Sequence, residues 1–414
     1  MNISFSSLFK TGLLISALAL LLSIFACTDT PRIRRTPLIP PPDSGPDEPE
    51  IKVLIDKAQS FSVQAEGACT VFDAAGDADA PEILFETKRG FASRTVKWHR
   101  GTVRMQGMEN RKIGKIDLVS ENDENGIIVN GDIYFGKIRF SSRGTGLTAV
   151  NILPAEQYLC GVVLGELGQR APLEAMKAQS VAARNYALYE YKTRKNKLYH
   201  VTKTTKSQVY LPKSNYSSQI REAVNATRGI IMVYDNKLFK SYYSATCGGR
   251  TANIEDVWSC LPHVPLTSVA CGFCNDASYY RWQYKLTRHE LKRKLHDAGF
   301  RLDYIRRAYV PKKGRGISGR VRYVKIEVDK QHHHGTVILT GLHLRKILNR
   351  DGSNIKSTWF SIKEQGSTVL FNGKGFGHGV GMCQEGSMEM ARAGYTFKDI
   401  LMHYYSGISF LRIY

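Results

Sequence analysis

The carboxyl group of Glu166 is the side chain of this sequence that is best placed for acid/base chemistry. It lies near the end of an apolar run, Tyr158–Leu167, that contains two glycines, Gly161 and Gly165. Burial disfavours the charged carboxylate, and the C-terminal end of a helix acts in the same direction, so we expect a raised pKa. A glutamic acid that keeps its proton near neutral pH can act as a general acid. The sequence therefore predicts an acid/base group at this position.

Two helices are predicted to position this carboxyl. The first spans Ala155–Leu167 and ends at Gly168, and the second begins with Pro172, a residue favoured in the first turn of a helix. Residues four apart lie on the same helix face, so Gly161 and Gly165 would let another backbone segment approach closely. The carboxyl would then be held in place by packing.

The second helix carries polar groups on faces that are otherwise apolar. Lys177 and Arg184 fall within an apolar stripe, and Gln179 belongs to the same helix. Buried charges require partners, whereas on a half-exposed helix long side chains reach solvent. We expect these three side chains to line a cleft or to fix Glu166, and the alternative is a buried hydrogen-bonding role.

A glycine-rich segment near the C-terminus is the second unusual stretch. Glycines alternate from Gly373 to Gly381 around His378, and Gln384 and a predicted helix follow. The segment lacks the Lys-Ser/Thr ending of a phosphate-binding loop and does not match the dinucleotide-binding pattern. It is interpreted either as a tight turn or as a loop that presents His378 to a site.

Four cysteines lie close together in the chain: Cys247, Cys260, Cys271 and Cys274. Their spacing is compatible with a structural zinc site. In an exported protein the competing interpretation is two disulfides, or one disulfide and two free thiols. Disulfides are slightly favoured because His263 is the only histidine near the cluster, and a catalytic Cys–His pair ranks third.

The composition indicates a globular protein with an anionic partner. The 414 residues allow two or three domains, and 43% of them are hydrophobic. There are 58 Lys and Arg against 37 Asp and Glu, a net charge of +21 that favours nucleic acid, acidic lipid or an acidic polymer. No helix-turn-helix, zinc-finger or RNP pattern is present, so we expect no nucleic-acid partner.

The N-terminus is typical of an exported protein. Lys10 precedes an apolar run, Leu13–Ala26, whose length suits a signal peptide better than a membrane span. Cys27 follows directly, and Ile-Phe-Ala-Cys resembles a bacterial lipobox whose cysteine is lipidated; a plain secretory signal is the alternative. Residues 28–50 are Pro-rich and would form a tether. We therefore expect a membrane-anchored lipoprotein that faces the periplasm or the cell wall.

The rest of the chain predicts an α+β fold. Residues 51–150 alternate short β-rich runs with turns, of which Asn130-Gly131 is a hairpin signal. Residues 151–414 combine the helices with further strands and form the expected catalytic core. Within that core, Leu286–Phe300 is predicted as a basic amphipathic helix and Arg320–Leu339 as a β-hairpin.

Several motifs together resemble the SpoIID/LytB family of bacterial peptidoglycan proteins. They follow one another in order between Ile51 and Tyr414: LPAEQYLCGVVLGEL, EAMKAQSVAARNYAL, SQVY, YYSATCGGRT, LTGLHLRKIL and GFGHGVGMCQEGSMEMA. The resemblance implies lytic transglycosylase activity on glycan strands, preferentially strands stripped of their stem peptides. It also makes Glu166 the acid/base, and we expect sugar contacts from Gln208, Ser244, His378 and Gln384.

The implied reaction needs one carboxyl and no cofactor. The acid protonates the glycosidic oxygen between N-acetylmuramic acid and N-acetylglucosamine, and the same group then deprotonates the muramic C6 hydroxyl to close a 1,6-anhydro ring. Some family members hold zinc in the loop before the Gln-x-Tyr motif. Here that loop has His200, but Thr202 and Ser207 occupy the positions where thiols would stand, so no metal is expected there.

Two other functions remain open. The family includes amidase enhancers, so the alternative is a non-catalytic glycan-binding partner of a cell-wall amidase. The third is a basic scaffold for acidic wall polymers, which rests on charge alone.

Overall fold

The computed structural model describes most of the chain after the linker. The described residues are 38–39, 47–75, 81–108, 110–121, 126–212, 216–258, 260–330, 333–352 and 354–414. The predicted signal segment, Cys27 and most of the Pro-rich linker lie outside them. Among the helices of the described part, none combines the length and the apolar character needed to cross a membrane.

Two antiparallel sheets form the N-terminal part, as the alternating β-rich runs predict. Their strands are β1 (Glu50–Ala58), β2 (Ser60–Ala65), β3 (Cys69–Asp73), β4 (Glu82–Thr87), β5 (Phe91–His99), β6 (Thr102–Met105), β7 (Lys115–Ser120), β8 (Ile127–Val129), β9 (Asp132–Tyr134), β10 (Lys137–Arg143) and β11 (Gly146–Pro154). One sheet has the order β1-β11-β10-β7-β3-β4 and the other the order β6-β5-β2-β8-β9. Phe61 of β2 packs against Phe140 of β10 with ring centroids 5.3 Å apart, so the two sheets share a core.

The predicted turn between β8 and β9 is confirmed. Asn130 and Gly131 have φ angles of 51° and 91°, the left-handed values that a two-residue hairpin turn requires.

Helices and short sheets make up the remainder. The elements are α1 (Ala155–Leu167), α2 (Leu173–Thr193), β12 (Val201–Thr202), α3 (Ser218–Ala226), β13 (Ile230–Tyr234), β14 (Lys237–Leu238), β15 (Tyr243–Ser244), α4 (Ile254–Trp258), β16 (Arg281–Thr287), α5 (Arg288–Asp297), β17 (Tyr304–Tyr309), β18 (Tyr323–Lys330), β19 (His333–Thr340), α6 (Gly341–Leu348), β20 (Phe360–Gln365), β21 (Thr368–Lys374), β22 (Met382–Cys383), α7 (Gln384–Arg392), α8 (Phe397–Tyr404) and β23 (Ser409–Arg412). The mixture confirms the α+β class.

Helix α2 is the centre of the helical layer. The bounds of α1 match the prediction, and Pro172 immediately precedes α2, which packs against α1, α3, α7, α8 and β13. Strand β11 leads directly into α1, and β12 pairs in parallel with β1 at the edge of the larger sheet. The N-terminal sheets and the helices therefore share one hydrophobic core.

A second hydrophobic core lies within the C-terminal half. Residues between Trp282 and Phe371 form a separate buried cluster, built from the sheet β16-β21-β20, the sheet β17-β18-β19, α5 and α6. The hairpin predicted over Arg320–Leu339 is confirmed by β18 and β19.

The helix predicted over Leu286–Phe300 is shorter than expected at both ends. Strand β16 continues to Thr287, and α5 spans Arg288–Asp297. Thr287 starts the helix because its side chain accepts a hydrogen bond from the Glu290 N–H at 3.1 Å, while the Glu290 carboxylate accepts from the Thr287 N–H at 2.7 Å. This reciprocal pair is a capping box, and it fixes the change from strand to helix.

Candidate active site

Glu166 is fixed by a backbone segment that runs along the glycine face of α1. A Cβ atom placed on Gly165 would lie 2.6 Å from the Val209 carbonyl oxygen, and one on Gly161 would lie 2.5 Å from that of Leu211. The close approach expected from these two glycines is therefore confirmed. It brings the Val209 N–H to the Glu166 carboxyl, where it donates a hydrogen bond to Oε1 at 2.7 Å.

Substituting Gly165 with alanine tests this contact. The added methyl group must displace the Val209 backbone, so we expect the free energy of unfolding to fall by about 1–3 kcal/mol. Gly335→Ala is the matched control, because its Cβ would meet only Val328 Cγ2, at 3.8 Å. Urea titrations of both variants measure the difference. Equal free energies of unfolding for the two variants would show that the backbone at Val209 can move away without loss of stability.

The other carboxyl oxygen of Glu166 faces α7. Gln384, the first residue of α7, donates from Nε2 to Oε2 at 3.0 Å. The same amide nitrogen lies 3.4 Å from Oε1 of the fully buried Gln179. The structure therefore brings together three of the predicted residues, and Gln179 orients Gln384 towards the acid.

Tyr243 is a third partner of this carboxyl. Its hydroxyl forms a hydrogen bond that favours the ionised form of Glu166. The hydroxyl also accepts from Nε2 of Gln208 at 2.8 Å, and Gln208 Oε1 accepts from the Tyr158 hydroxyl at 3.0 Å. Gln208 is fully buried behind Tyr243. The structure thus gives it a positioning role in place of the expected sugar contact.

The pKa of Glu166 lies above its usual range, as the sequence predicts. Burial of the carboxyl is the largest cause and raises the pKa, while the hydrogen bonds from Val209, Gln384 and Tyr243 act in the opposite direction. The group is therefore a half-buried acid whose pKa is raised by desolvation and lowered by three hydrogen-bond donors.

The glycine-rich segment is held against β15. Ser244 Oγ accepts a hydrogen bond from the Gly379 N–H at 3.1 Å. Gly377 has a φ angle of 99°, and a Cβ at this position would lie 2.8 Å from that of Ser244. Ser244 therefore fixes the segment.

His378 is half-buried in the glycine-rich segment. Its Nδ1 accepts from the Val380 N–H at 3.1 Å, and its ring packs against Trp258 with centroids 5.0 Å apart. Burial, together with the nearby guanidinium groups of Arg320 and Arg345, lowers the pKa of His378 to about 3. The imidazole is neutral at physiological pH and stabilises the loop.

Two of the predicted cleft residues have other partners. Lys177 forms an ion pair with Glu174 at 2.6 Å. Arg184 is fully buried and binds Glu156 through Nε at 2.7 Å and Nη2 at 2.6 Å. Although burial raises the pKa of Glu156, Arg184 holds it below its usual range. Arg184 therefore ties α2 to the start of α1 and does not fix Glu166.

A cluster of cysteine sulfurs lies beside α7. The Sγ atoms of Cys247, Cys271, Cys274 and Cys383 all lie within 4.8 Å of one another, and all four residues are buried. Cys260 does not belong to this group, so the predicted set is corrected at one position. The error arose because Cys383 is distant in sequence, although it directly precedes Gln384.

The loop before Gln208 has no cluster of thiols. His200 Nδ1 accepts from the Lys52 N–H at 3.1 Å, and burial lowers the pKa of His200 to about 4. Ser207 Oγ accepts from the Thr202 N–H at 3.1 Å. These groups connect the loop to β1 and to itself.

Sequence reasoning missed three groups of the site: the Tyr243 hydroxyl, the Val209 N–H and Cys383. The Val209 N–H could not be predicted from residue type, because almost every residue carries a backbone N–H. Tyr243 adjoins Ser244, and Cys383 adjoins Gln384. Ser244 and Gln384 are themselves predicted site residues. Adjacency to them in the sequence was therefore the signal that could have identified Tyr243 and Cys383.

Two parts of the chain match known families. Residues 143–234, which include α1 and α2, match the family described as Stage II sporulation protein (SpoIID). Residues 268–381 match a domain of unknown function, DUF8618, and this stretch contains the second hydrophobic core.

Curated relatives extend the similarity over most of the chain. An uncharacterized protein of Brachyspira hyodysenteriae is 34% identical over 310 residues, which cover 73% of this chain and 80% of the relative. Stage II sporulation protein D of Bacillus subtilis is 30% identical over 281 residues, or 64% of this chain and 76% of the relative. An amidase enhancer of Bacillus subtilis is 27% identical over 60% of this chain and 39% of its own length.

Proposed function

Because this chain belongs to the SpoIID/LytB family of cell-wall proteins, we propose that it is a peptidoglycan lytic transglycosylase with Glu166 as its single acid/base. The observation that carries the proposal is the environment of that carboxyl. Its pKa is raised by burial, and its three described partners are an amide, a backbone N–H and a hydroxyl. The proposed reaction needs only this one acid/base, whereas ordinary glycoside hydrolysis uses two carboxyl groups.

The reaction uses the Glu166 carboxyl twice, first as an acid and then as a base. The protonated acid gives its proton to the glycosidic oxygen while the bond from this oxygen to C1 of N-acetylmuramic acid breaks. The carboxylate then takes the proton of the C6 hydroxyl of the same sugar, and the C6 oxygen bonds to C1. The product is a 1,6-anhydro ring, no water is consumed, and Glu166 returns to its protonated state.

The charge of the protein suits a peptide-stripped strand. Removal of the stem peptide leaves a free lactyl carboxylate on each muramic acid, so a stripped strand is a polyanion. A net charge of +21 attracts such a polymer. Basic composition therefore supports stripped glycan as the substrate.

Export would bring the protein to this substrate. We propose a lipid-linked Cys27 and a tether of residues 28–50, which would let the folded part reach glycan beyond the membrane.

The experiment that tests the function is product analysis. Full-length protein is incubated with glycan strands freed of stem peptides, and the fragments are weighed by mass spectrometry. We expect fragments with 1,6-anhydro-muramic ends, which are one water lighter than hydrolysis products. Fragments with ordinary reducing ends would contradict a transglycosylase.

An amidase enhancer is the second candidate. It is supported by the relative of that name, which aligns with 60% of this chain. In this case the cleft would hold glycan for a separate cell-wall amidase, and Glu166 would not be needed for stimulation.

The pH dependence of cleavage should depend on Gln384. Since its hydrogen bond lowers the pKa of Glu166, Gln384→Ala should raise that pKa further. The general acid would keep its proton to higher pH, so the basic limb of the plot of kcat against pH should shift to higher pH. Gln365→Ala, at an exposed position, is the control and should leave the profile unchanged. A loss of rate with an unshifted basic limb would contradict this electrostatic role.

A further inference from the structure

We propose that Cys247, Cys271, Cys274 and Cys383 bind one zinc ion as four thiolates, and that this site holds α7 and β15 next to Glu166. The cysteines come from three separate parts of the chain: the loop after β15, the Cys-Gly-Phe-Cys turn and the end of β22. A metal ion at this point would cross-link all three.

The spacing of the sulfur atoms fits tetrahedral zinc. Zn–S bonds of about 2.3 Å place the sulfurs of a tetrahedral site about 3.8 Å apart. Here the Sγ atoms of Cys247 and Cys274 are 3.5 Å apart, and all four Sγ atoms lie within 4.8 Å of one another. A disulfide would need a bond of about 2.05 Å. The arrangement of four converging sulfurs is typical of a Cys₄ metal site.

Hydrogen-bond donors surround the sulfur atoms. Cys383 Sγ accepts from the Cys247 N–H at 3.2 Å and from the Gly386 N–H at 3.4 Å. The Tyr404 hydroxyl lies 3.1 Å from Cys271 Sγ. A Cβ on Gly386 would lie 2.7 Å from the same sulfur, so glycine is needed for the approach of α7. Such donors stabilise thiolates and orient them as metal ligands.

A buried cation supplies the matching charge. Arg320 is fully buried, and its guanidinium donates to the carbonyl oxygens of Cys247 at 2.9 Å and Gly377 at 3.2 Å. Within the described residues it forms no ion pair with a carboxylate, and its Nε has no partner. Four thiolates around Zn²⁺ carry a net negative charge, which would compensate this guanidinium.

The cluster is connected to two partners of Glu166. Strands β15 and β22 pair in parallel, with Tyr243 opposite Met382 and Ser244 opposite Cys383. Gln384 directly follows Cys383. The bound ion would therefore fix Tyr243 and Gln384 at the acid; this consequence rests on the proposed function, whereas zinc binding itself does not.

Metal analysis of the full-length protein tests the site. We expect about one zinc ion per chain. Cys271→Ser and Cys274→Ser should each lose it, and the matched control Cys260→Ser should retain it, because Cys260 lies outside the cluster. Loss of zinc in the control, or zinc-free wild-type protein, would overturn the proposal.

A second measurement does not depend on the folding of variants. Wild-type protein is denatured without reductant after its zinc content is measured, and its thiols are alkylated and mapped by mass spectrometry. All four cysteines should be alkylated, whereas disulfides among them would overturn the zinc site. Cobalt substitution should give the absorption of a tetrahedral thiolate complex. Zinc retained by a protein that produces no anhydro fragments would contradict the proposed function alone.

Discussion

Glu166→Gln should abolish the release of 1,6-anhydro fragments from stripped glycan, with a loss of at least about 100-fold in kcat. The amide has the shape of the acid, and its oxygen can still accept the hydrogen bond of the Val209 N–H. However, it can neither protonate the glycosidic oxygen nor deprotonate the C6 hydroxyl. The rate is measured by quantifying anhydro ends over time.

The matched control for this substitution is Glu389→Gln. Glu389 lies on α7 like the glutamine that contacts Glu166, but its side chain is exposed and pairs with Arg392. We expect this variant to cleave at the rate of the wild type. Anhydro fragments from Glu166→Gln at an unchanged rate would rule out the acid/base assignment. The enhancer function is favoured if neither the wild type nor either variant cleaves glycan and Glu166→Gln still binds glycan and stimulates an amidase.

Local sequence signals predicted the supporting elements of the site. Glycines four apart on an apolar helix predicted the close backbone contact at Gly161 and Gly165, and the structure has it. The Asn130-Gly131 turn and the bounds of α1 were likewise confirmed. In each case neighbouring residues within a few positions determine the conformation, so the sequence carries the information directly.

Long-range partners could not be predicted in the same way. Arg184 was expected near Glu166, but it pairs with Glu156, which lies 28 positions earlier in the chain. Cys383 lies more than one hundred residues after the other three cysteines of the cluster. Its Sγ accepts a hydrogen bond from the N–H of Cys247, which is 136 positions earlier in the chain. Such pairings depend on how the helices and the two cores assemble, and residue spacing does not report that assembly.

The buried ion pair between Arg184 and Glu156 should have the largest effect on stability. Glu156 accepts hydrogen bonds from Arg184, from the Gly229 N–H at 3.3 Å and from the Tyr414 hydroxyl at 2.6 Å. Arg184→Met leaves this carboxylate buried without its cation. We expect the free energy of unfolding to fall by about 3–5 kcal/mol. The exposed-pair variant Arg392→Met should lose less than about 1 kcal/mol in the same urea titrations.

A double variant and the pH dependence of stability distinguish the contribution of the Arg184 charge from that of its packing. Arg184→Met/Glu156→Met removes both charges, so it should recover most of the stability that Arg184→Met loses. Because the folded pKa of Glu156 is lowered, the pair stabilises the protein above the unfolded carboxyl pKa of about 4.3, and this contribution disappears as the pH falls through the lower folded pKa. The gap between wild type and Arg184→Met should therefore narrow in acid. A gap that is constant with pH, or a double variant as unstable as the single one, would show that packing of the guanidinium dominates.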